Sequence, residues 1–135
     1  MATPGQDLTR LVAESCASSD FWCLIDEVVD RARYLLLDFL GCAIRGTLSA
    51  STTPVLRLAK RKCSEQEQVP IIGTGMRSEP SFAALAMGTA AHSLELDDVV
   101  NSASLHPAVA VVPAALSAGC QCKSSGAELL TAMVI

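Results

Sequence analysis

Aromatic side chains, charged side chains and histidines are all scarce in this sequence. Aromatic residues make up 4% of the 135 residues and charged residues 18%, whereas half of the chain is hydrophobic. With so few rings available, a core has to be built from Ala, Leu, Val and Ile, which favours close-packed helices over a β-sandwich. The length suits one domain with a core of its own. Composition therefore predicts a single helical domain.

Three further shortages exclude classes of protein. The formal net charge is −4, so no basic surface is expected to neutralise the phosphates of a nucleic acid. The most apolar run, residues 107–119, is shorter than the roughly 20 residues that a membrane-spanning helix needs. The six cysteines are irregularly spaced, with no C-x-x-C pair and no apolar signal segment before them. These features predict a cytoplasmic protein with reduced thiols, no nucleic-acid partner and no membrane segment.

Apolar periodicity predicts a series of helices. They are expected around residues 8–15, 24–44, 81–96 and 107–119. The run STTP at residues 51–54 predicts another helix start, with a capping hydroxyl and a proline in the first turn, and SGAE at residues 125–128 fits a capping box. The β-branched run at residues 69–73 predicts one short strand or an extended loop. The expected fold class is all-α, with at most that one strand.

The chain ends inside the last predicted helix. Residues 131–135 read TAMVI, without a glycine or a polar last turn to close the helix. Such an end would leave apolar side chains exposed. We therefore expect residues 1–135 to be a single helical domain, truncated at its C-terminus, whose natural product continues.

Both histidines of the chain bracket a dense acidic stretch within residues 89–107, TAAHSLELDDVVNSASLHP. Carboxylates this close together repel one another and are best tolerated where they face water, a cation or a substrate. If the helix from residue 81 continues to residue 99, His92 and Glu95 lie one turn apart and can hydrogen-bond. Pro107 disfavours helical geometry at His106 and begins the next helix, so this imidazole is expected at a rigid corner.

The residues alone leave several roles open for this stretch. His92 fits a structural histidine first and Asp97 a capping residue, whereas structural and chemical roles fit His106 equally. A histidine with two aspartates could also ligate a metal ion. The sequence lacks the short-range histidine pair or cysteine set typical of such sites, so no metal ligand is assigned.

The segment GTAAHSLELDD, followed by HPAVAVVPAAL, resembles the MmgE/PrpD family, which includes iron-independent 2-methylcitrate dehydratases and cis-aconitate decarboxylase. Three other stretches agree in order, namely YLLLDFLG at residues 34–41, IIGTG at 71–75 and AALA at 83–86. The resemblance runs from about Leu8 to Ile135. Its specific part is the HSLELDD block with the later HP, because the helical stretches alone would fit many proteins.

The resemblance implies a helical domain of which this chain is the N-terminal part, a smaller α+β lid domain further along, and a homodimer. It implies a site between the domains that binds a small carboxylate substrate without a metal or an organic cofactor. By position, His106 matches the active-site histidine, Glu95 stands where the family often has a catalytic aspartate, and Asp97 and Asp98 match the acidic pair. Catalysis is thus assigned to His106, Glu95 and Asp97, and substrate binding to Asp98 and His92.

Two departures from the family pattern bear on the reaction. Met87 stands where many members have asparagine, and Val99 stands where decarboxylase-like members have an active-site threonine. The lost hydroxyl, together with glutamate at position 95, favours a dehydratase over cis-aconitate decarboxylase. The predicted function is a cofactor-free hydro-lyase that dehydrates 2-methylcitrate or a related branched tricarboxylate by acid/base chemistry.

The predicted site is incomplete in this chain. Its acids would repel a tricarboxylate, so the cationic residues that bind the substrate are expected outside residues 1–135, and the fragment alone is expected to be inactive. Two alternatives stay open. One is an isomerase or epimerase that abstracts a proton next to a carboxylate, and the other is a non-catalytic helical dimerisation module.

Overall fold

A computed structural model describes residues 7–63 and 69–135 of the chain. Its helices are α1 (Leu8–Ser18), α2 (Asp26–Gly46), α3 (Thr53–Arg61), α4 (Pro80–His92), α5 (Ala108–Cys122) and α6 (Gly126–Val134). A 3₁₀ turn covers Phe21–Cys23, and two short strands, β1 (Val69–Pro70) and β2 (Arg77–Ser78), pair antiparallel. The all-α fold class is confirmed.

Helix α4 lies at the centre of the fold and packs against α2, α3 and α5. Its buried positions are small apart from one methionine: Ala83, Ala86, Met87, Ala90 and Ala91. Alanine has the highest helix propensity, so this segment forms a helix readily, and its short side chains let neighbouring helices approach closely. Larger side chains from other elements fill the space around α4; Phe39, Ile71 and Val112 are each 1% exposed.

Two glycines set how closely these helices approach. A Cβ added to Gly46, at the end of α2, would lie 1.8 Å from the carbonyl oxygen of Ala90 in α4. A Cβ on Gly88 of α4 would lie 2.5 Å from the carbonyl oxygen of Val109 in α5. Pro113, four residues after Val109, has no N–H to donate to that carbonyl, so the oxygen is free for a weak contact with the glycine Cα. The end of α4 is therefore held close to the start of α5.

The start of α3 differs from the prediction. Pro54 lies in the first turn of the helix, as expected, but no side-chain hydroxyl caps it. The buried hydroxyl of Thr52 donates instead to the carbonyl of Gly46, 2.9 Å away. A buried hydroxyl is costly to leave without a partner, and the same carbonyl also accepts from the Ser49 N–H, 2.9 Å away. These bonds tie the loop before α3 to the end of α2, and the expected cap is not made.

The predicted strand near residues 69–73 is found at Val69–Pro70, and it has a partner that the sequence did not predict. The chain returns through a turn in which Gly73 has a φ of 78°, a conformation that favours glycine. This brings Arg77–Ser78 alongside β1. The Ser78 hydroxyl also donates to the carbonyl of Ala59, 2.6 Å away, at the end of α3. An Arg-Ser dipeptide has no strand propensity of its own, so its pairing follows from the turn and this bond.

The helices at the two ends of the chain differ in how they are held. Helix α1 has no buried residue, whereas α6 begins with the predicted capping box, in which Ser125 and Glu128 each bond the other's backbone N–H. All six cysteines are free thiols, and Cys42 is the buried one. Within residues 7–63 and 69–135, every helix is either too short or too polar to span a bilayer.

Candidate active site

Helix α4 ends at His92, earlier than predicted, and the acidic stretch that follows is a loop. Glu95 has a φ of 53°, in the left-handed region, so helical geometry has already been lost there. Its carboxylate is 77% exposed and 3.8 Å from Nε2 of His92, too far for the predicted hydrogen bond. The predicted helical continuation was wrong, and the repulsion between the helix dipole and acids at its C-terminus is a sufficient reason.

Asp97 takes the position next to His92 that was expected for Glu95. Its side chain is fully buried. Nδ1 of His92 lies 3.0 Å from Oδ2 and 3.2 Å from Oδ1 of Asp97. Nδ1 of His106 lies 3.0 Å from the same Oδ2, and the two imidazole centroids are 4.8 Å apart, edge to face. The fold thus brings together three of the five predicted site residues.

The two rings contact this carboxylate in different ways. His92 forms a hydrogen bond with Asp97. Nδ1 of His106 is buried and, among the described residues, has no hydrogen-bond partner, although it lies just as close to the carboxylate oxygen. The short distance and the missing hydrogen bond are compatible when the oxygen lies outside the direction in which Nδ1 of His106 can form a hydrogen bond. His106 therefore keeps an unused bonding direction at a buried nitrogen.

A closed loop returns the chain from Asp98 to His106. Val100 and Leu105 exchange backbone hydrogen bonds as an isolated antiparallel bridge, with Val100 N 2.8 Å from the Leu105 carbonyl. Oδ1 of Asp98 accepts a hydrogen bond from the backbone N–H of Ala108, 3.1 Å away. This bond satisfies one of the free N–H groups at the start of α5. Asp98 therefore fixes the start of α5, two residues after His106, and does not join the histidine cluster.

The carboxylate of Asp97 changes the acidity of two neighbours. Its hydrogen bond to His92 is the main reason that the pKa of this imidazole is raised above its ordinary value; partial burial opposes the shift, and the charges of Asp97 and Glu95 add to it. The pKa of the Cys42 thiol is also raised, first by burial and then by the charges of Asp38 and Asp97. A raised pKa keeps the thiol protonated, so Cys42 is not expected to act as a nucleophile.

An open cavity of about 650 Å³ lies beside Asp97. Helix α2 forms one wall and the acidic loop the other; the lining residues are Arg31, Tyr34, Leu35, Leu37, Asp38, Leu96, Asp97, Asp98 and Val99. Arg31 is the single cationic residue in that lining, which also includes three aspartates. The cavity has the size of a small-molecule site, but its net charge would repel a polycarboxylate.

The contribution of α2 to this cavity was missed from the sequence. Arg31, Tyr34 and Asp38 lie far from the acidic stretch in the chain, and only packing of α2 against α4 brings them near it. The stretch YLLLDFLG had been noted as part of a predicted helix and for its family resemblance, and not as part of the site. Helical spacing of Arg31, Tyr34 and Asp38 was the available signal, since residues three and four apart share a face of a helix.

The cluster unites the two parts of the sequence, HSLELDD and HP, that carried the family resemblance. A family model described as the MmgE/PrpD N-terminal domain matches residues 10–135. The chain belongs to the MmgE/PrpD family. The match covers α2 to α6 and nearly all of α1, so it includes both histidines and all three acids of the predicted site.

Several curated MmgE/PrpD relatives are similar to this chain. A cis-aconitate decarboxylase-like protein of Aspergillus oryzae, oryM, is 32% identical over 119 residues, which cover 81% of this chain and 24% of that protein. Human cis-aconitate decarboxylase is 34% identical over 94 residues, or 67% of this chain and 18% of the enzyme. The Aspergillus terreus enzyme is 32% identical over 92 residues, covering 68% and 19%. The chain thus spans about a fifth of the length of these relatives.

Proposed function

We propose that this chain supplies the proton-transfer side of a cofactor-free lyase site that acts on a small tricarboxylate. The observation that carries the proposal is the pair of imidazoles, each with Nδ1 at 3.0 Å from one buried oxygen of Asp97. Both rings lie beside one anion, which can stabilise the positive charge that forms on a ring when it holds an extra proton. One ring can then serve as an acid while the other serves as a base.

The preferred reaction is dehydration of 2-methylcitrate or a related branched tricarboxylate. His106 as neutral imidazole takes a proton from the carbon adjacent to the one that bears the hydroxyl. The electron pair of that C–H bond becomes the new C=C bond, the C–O bond breaks, and protonated His92 gives the hydroxyl a proton so that it leaves as water. Glu95, at 3.8 Å from Nε2 of His92, can exchange that proton with solvent.

The contacts with Asp97 indicate which nitrogen of each ring is available to the substrate. Nδ1 of both histidines faces Asp97, which leaves Nε2 of each ring to reach a substrate. Asp97 then acts as a positioning residue that orients the rings and stabilises the charge that forms on them. Asp98 acts through its bond to Ala108, by holding the start of α5 and with it His106.

The substrate carboxylates need more cationic or backbone donors than the cavity lining supplies, since Arg31 is its single cationic residue. The matched segment is about a fifth of each relative. We therefore propose that the other donors and a lid domain lie in sequence beyond this segment. We also propose that the whole protein forms a homodimer. Residues 1–135 alone should then be inactive, and turnover by the purified 135-residue chain would contradict this.

Decarboxylation of cis-aconitate is the second candidate. The relatives named above are cis-aconitate decarboxylases or like them, and that reaction needs one proton donor. The bond to the departing carboxylate breaks, carbon dioxide leaves, and His106 as imidazolium protonates the carbanion that remains. The hydroxyl-free Val99, half exposed at the cavity wall, is the observation that keeps dehydration first.

Proton NMR in deuterated water distinguishes the two reactions. The longest natural product that contains this segment, treated with a chelator, is incubated separately with 2-methylcitrate, citrate and cis-aconitate. Dehydration gives an alkene product from a hydroxy acid, whereas decarboxylation gives a dicarboxylate and carbon dioxide from cis-aconitate. Solvent deuterium uptake without loss of water or carbon dioxide would instead favour an isomerase or epimerase.

Variants test whether the cluster performs the chemistry. His106→Gln should lower kcat by about 10²- to 10⁴-fold, the usual contribution of a positioned acid or base. Asp97→Asn should also lower kcat, because it removes the charge that orients both rings. Asp30→Asn, which removes an exposed carboxylate paired with Arg33 on α2, is the control and should leave kcat unchanged. A folded His106→Gln protein with full activity would contradict the proposal. If the unmutated protein and all variants form the same dimer and none shows turnover, the result would favour the dimerisation module.

A further inference from the structure

The cluster of His92, Asp97 and His106 also has the composition and spacing of a metal site. One ligand atom from each residue lies within 4.8 Å of the other two. Nδ1 of each imidazole is 3.0 Å from Oδ2 of Asp97. Two imidazole nitrogens with one carboxylate oxygen form a donor set that zinc takes in catalytic sites, where three protein ligands leave a fourth position open.

The unpaired nitrogen of His106 is the second observation. Nδ1 of His106 is buried and has no hydrogen-bond partner among the described residues, and a buried polar atom of this kind calls for a bound water, an ion or another role. Its lone pair, when the proton is on Nε2, is directed beside the Asp97 oxygen. A cation in that direction would satisfy the nitrogen and the carboxylate together.

The spacing requires the two rings to move. With zinc–nitrogen and zinc–oxygen bonds of about 2.0–2.1 Å, tetrahedral ligand atoms lie roughly 3.4 Å apart. The observed 3.0 Å between each Nδ1 and the Asp97 oxygen is slightly shorter, whereas the ligand atoms of the cluster are up to 4.8 Å apart, so the two imidazole nitrogens need to come closer together by up to roughly 1.4 Å. Both rings are partly exposed, His92 by 43% and His106 by 27%, which leaves room for that movement.

An outer contact fits the same assignment. Histidines that bind a metal usually donate their other ring N–H to a carboxylate, carbonyl or water. Nε2 of His92 faces the carboxylate of Glu95 at 3.8 Å, a distance that a small ring movement or a bridging water closes. Glu95 would then orient His92 from outside the metal.

We propose that His92, Asp97 and His106 bind a divalent transition-metal ion of the zinc class through Nδ1, a carboxylate oxygen and Nδ1. The ion is not required for the proposed lyase reaction. A further consequence rests on that proposed function: the metal would occupy Asp97 and fix both imidazoles, so bound zinc would inhibit turnover. Zinc binding is measured without substrate. The result therefore tests the metal site even if the proposed lyase reaction is wrong.

The six thiols are the main competitors for zinc and define the experiment. The tag-free protein is prepared with the five cysteines that are not buried replaced by serine: Cys16, Cys23, Cys63, Cys120 and Cys122. Zinc binding is followed by calorimetry, and cobalt binding by its visible absorption, which is intense in four-coordinate sites. The imidazole nitrogens are observed by ¹H–¹⁵N NMR, in which a bound metal shifts the signals of the nitrogen that it contacts.

The proposal expects one zinc ion per chain and shifted Nδ1 signals for both His92 and His106. His92→Gln, Asp97→Asn and His106→Gln should each weaken zinc binding by more than about 100-fold, since even outer partners of metal ligands contribute 10- to 100-fold. Asp38→Asn removes a nearby carboxylate from the cavity wall without removing a ligand, and should change affinity little. The NMR measurement needs no variant, so a misfolded variant does not block the test.

Three results would overturn the proposal. Zinc binding could disappear with the five cysteines, the Nδ1 signals of the unmutated histidines could stay unshifted at saturating zinc, or Asp38→Asn could weaken binding as much as Asp97→Asn. The last result would indicate general attraction of a cation to an acidic cavity. The proposed inhibition would be supported if zinc lowers turnover, a chelator restores it, and every cysteine replacement remains sensitive to zinc.

Discussion

Replacing Gly88 by alanine tests the packing that brings the two histidine-bearing helix ends together. The added Cβ would lie 2.5 Å from the carbonyl oxygen of Val109, whereas ordinary contacts begin at 3.4 Å. The obstacle is backbone, so α4 and α5 have to separate by roughly an ångström, and overpacking of this kind costs about 1–3 kcal/mol. The opposing gain from replacing a helical glycine by alanine is about 0.5–1 kcal/mol.

Gly41→Ala is the matched control. Gly41 lies inside α2 and a Cβ there would have nothing within 4 Å, so this variant receives the helix-propensity gain without the steric cost. We expect the free energy of unfolding to rise by about 0.5–1 kcal/mol for Gly41→Ala. The free energy of unfolding of Gly88→Ala should be about 1–3 kcal/mol lower than that of Gly41→Ala. This difference is the steric cost, because both variants receive the same helix-propensity gain.

Urea denaturation of both variants, with the midpoint and slope compared with the unmutated protein, measures these free energies. The same samples give a local readout, since Val109 follows His106 by three residues and movement of α5 should weaken the nuclear Overhauser contact between the two imidazoles. Equal stabilisation by the two substitutions, with the ring contact intact, would refute the close approach of α4 and α5 at this carbonyl.

Three further perturbations have expected outcomes. Asp97→Asn should lower the pKa of His92, because its hydrogen bond to Asp97 is the main cause of the raised value; an NMR titration with a chelator present measures it, and an unchanged pKa would contradict the assignment. In the unmutated protein that raised pKa stabilises the fold below the ordinary value of 6.5, and the contribution is lost as pH rises through the folded-state pKa. Thr52→Val should cost about 0.5–1.5 kcal/mol because it removes one hydrogen bond from the Gly46 carbonyl, which keeps the Ser49 N–H as a donor; a urea midpoint equal to that of the unmutated protein would argue against a contribution of this bond. Glu128 has a pKa lowered by its bond to the Ser125 backbone, so its stabilising effect should be lost as pH falls below 4.5 through the folded-state pKa, and Glu128→Gln should remove that part of the acid sensitivity of the melting temperature.

The predictions that succeeded rest on local chemistry. The alanine-rich run before His92 is a helix because its residues favour one wherever they are placed. The capping box at Ser125 and Glu128 and the proline corner at His106 are likewise decided within a few residues. These signals were sufficient for the fold class and for the segment that holds both histidines.

The predictions that failed concern choices between competing partners. The sequence offered Glu95 to His92 by helical spacing, but α4 ends at His92 and the loop delivers Asp97 to that ring. The hydroxyl of Thr52 could cap α3, yet it donates to a carbonyl at the end of α2. In both cases a buried polar group, the Asp97 carboxylate or the Thr52 hydroxyl, takes a partner from another part of the chain, because burial makes an unpaired polar group costly.

The sequence by itself determined the helices, the family and the two histidines around three acids. Only the tertiary structure decided which acid lies between the rings, since Asp97 reaches both because α4 and α5 meet closely at Gly88 and the loop closes through Val100 and Leu105. It also decided that α2 forms one wall of the cavity. Contacts between residues distant in the chain depend on which surfaces can be buried together, and that is a property of the packed whole and not of any single segment.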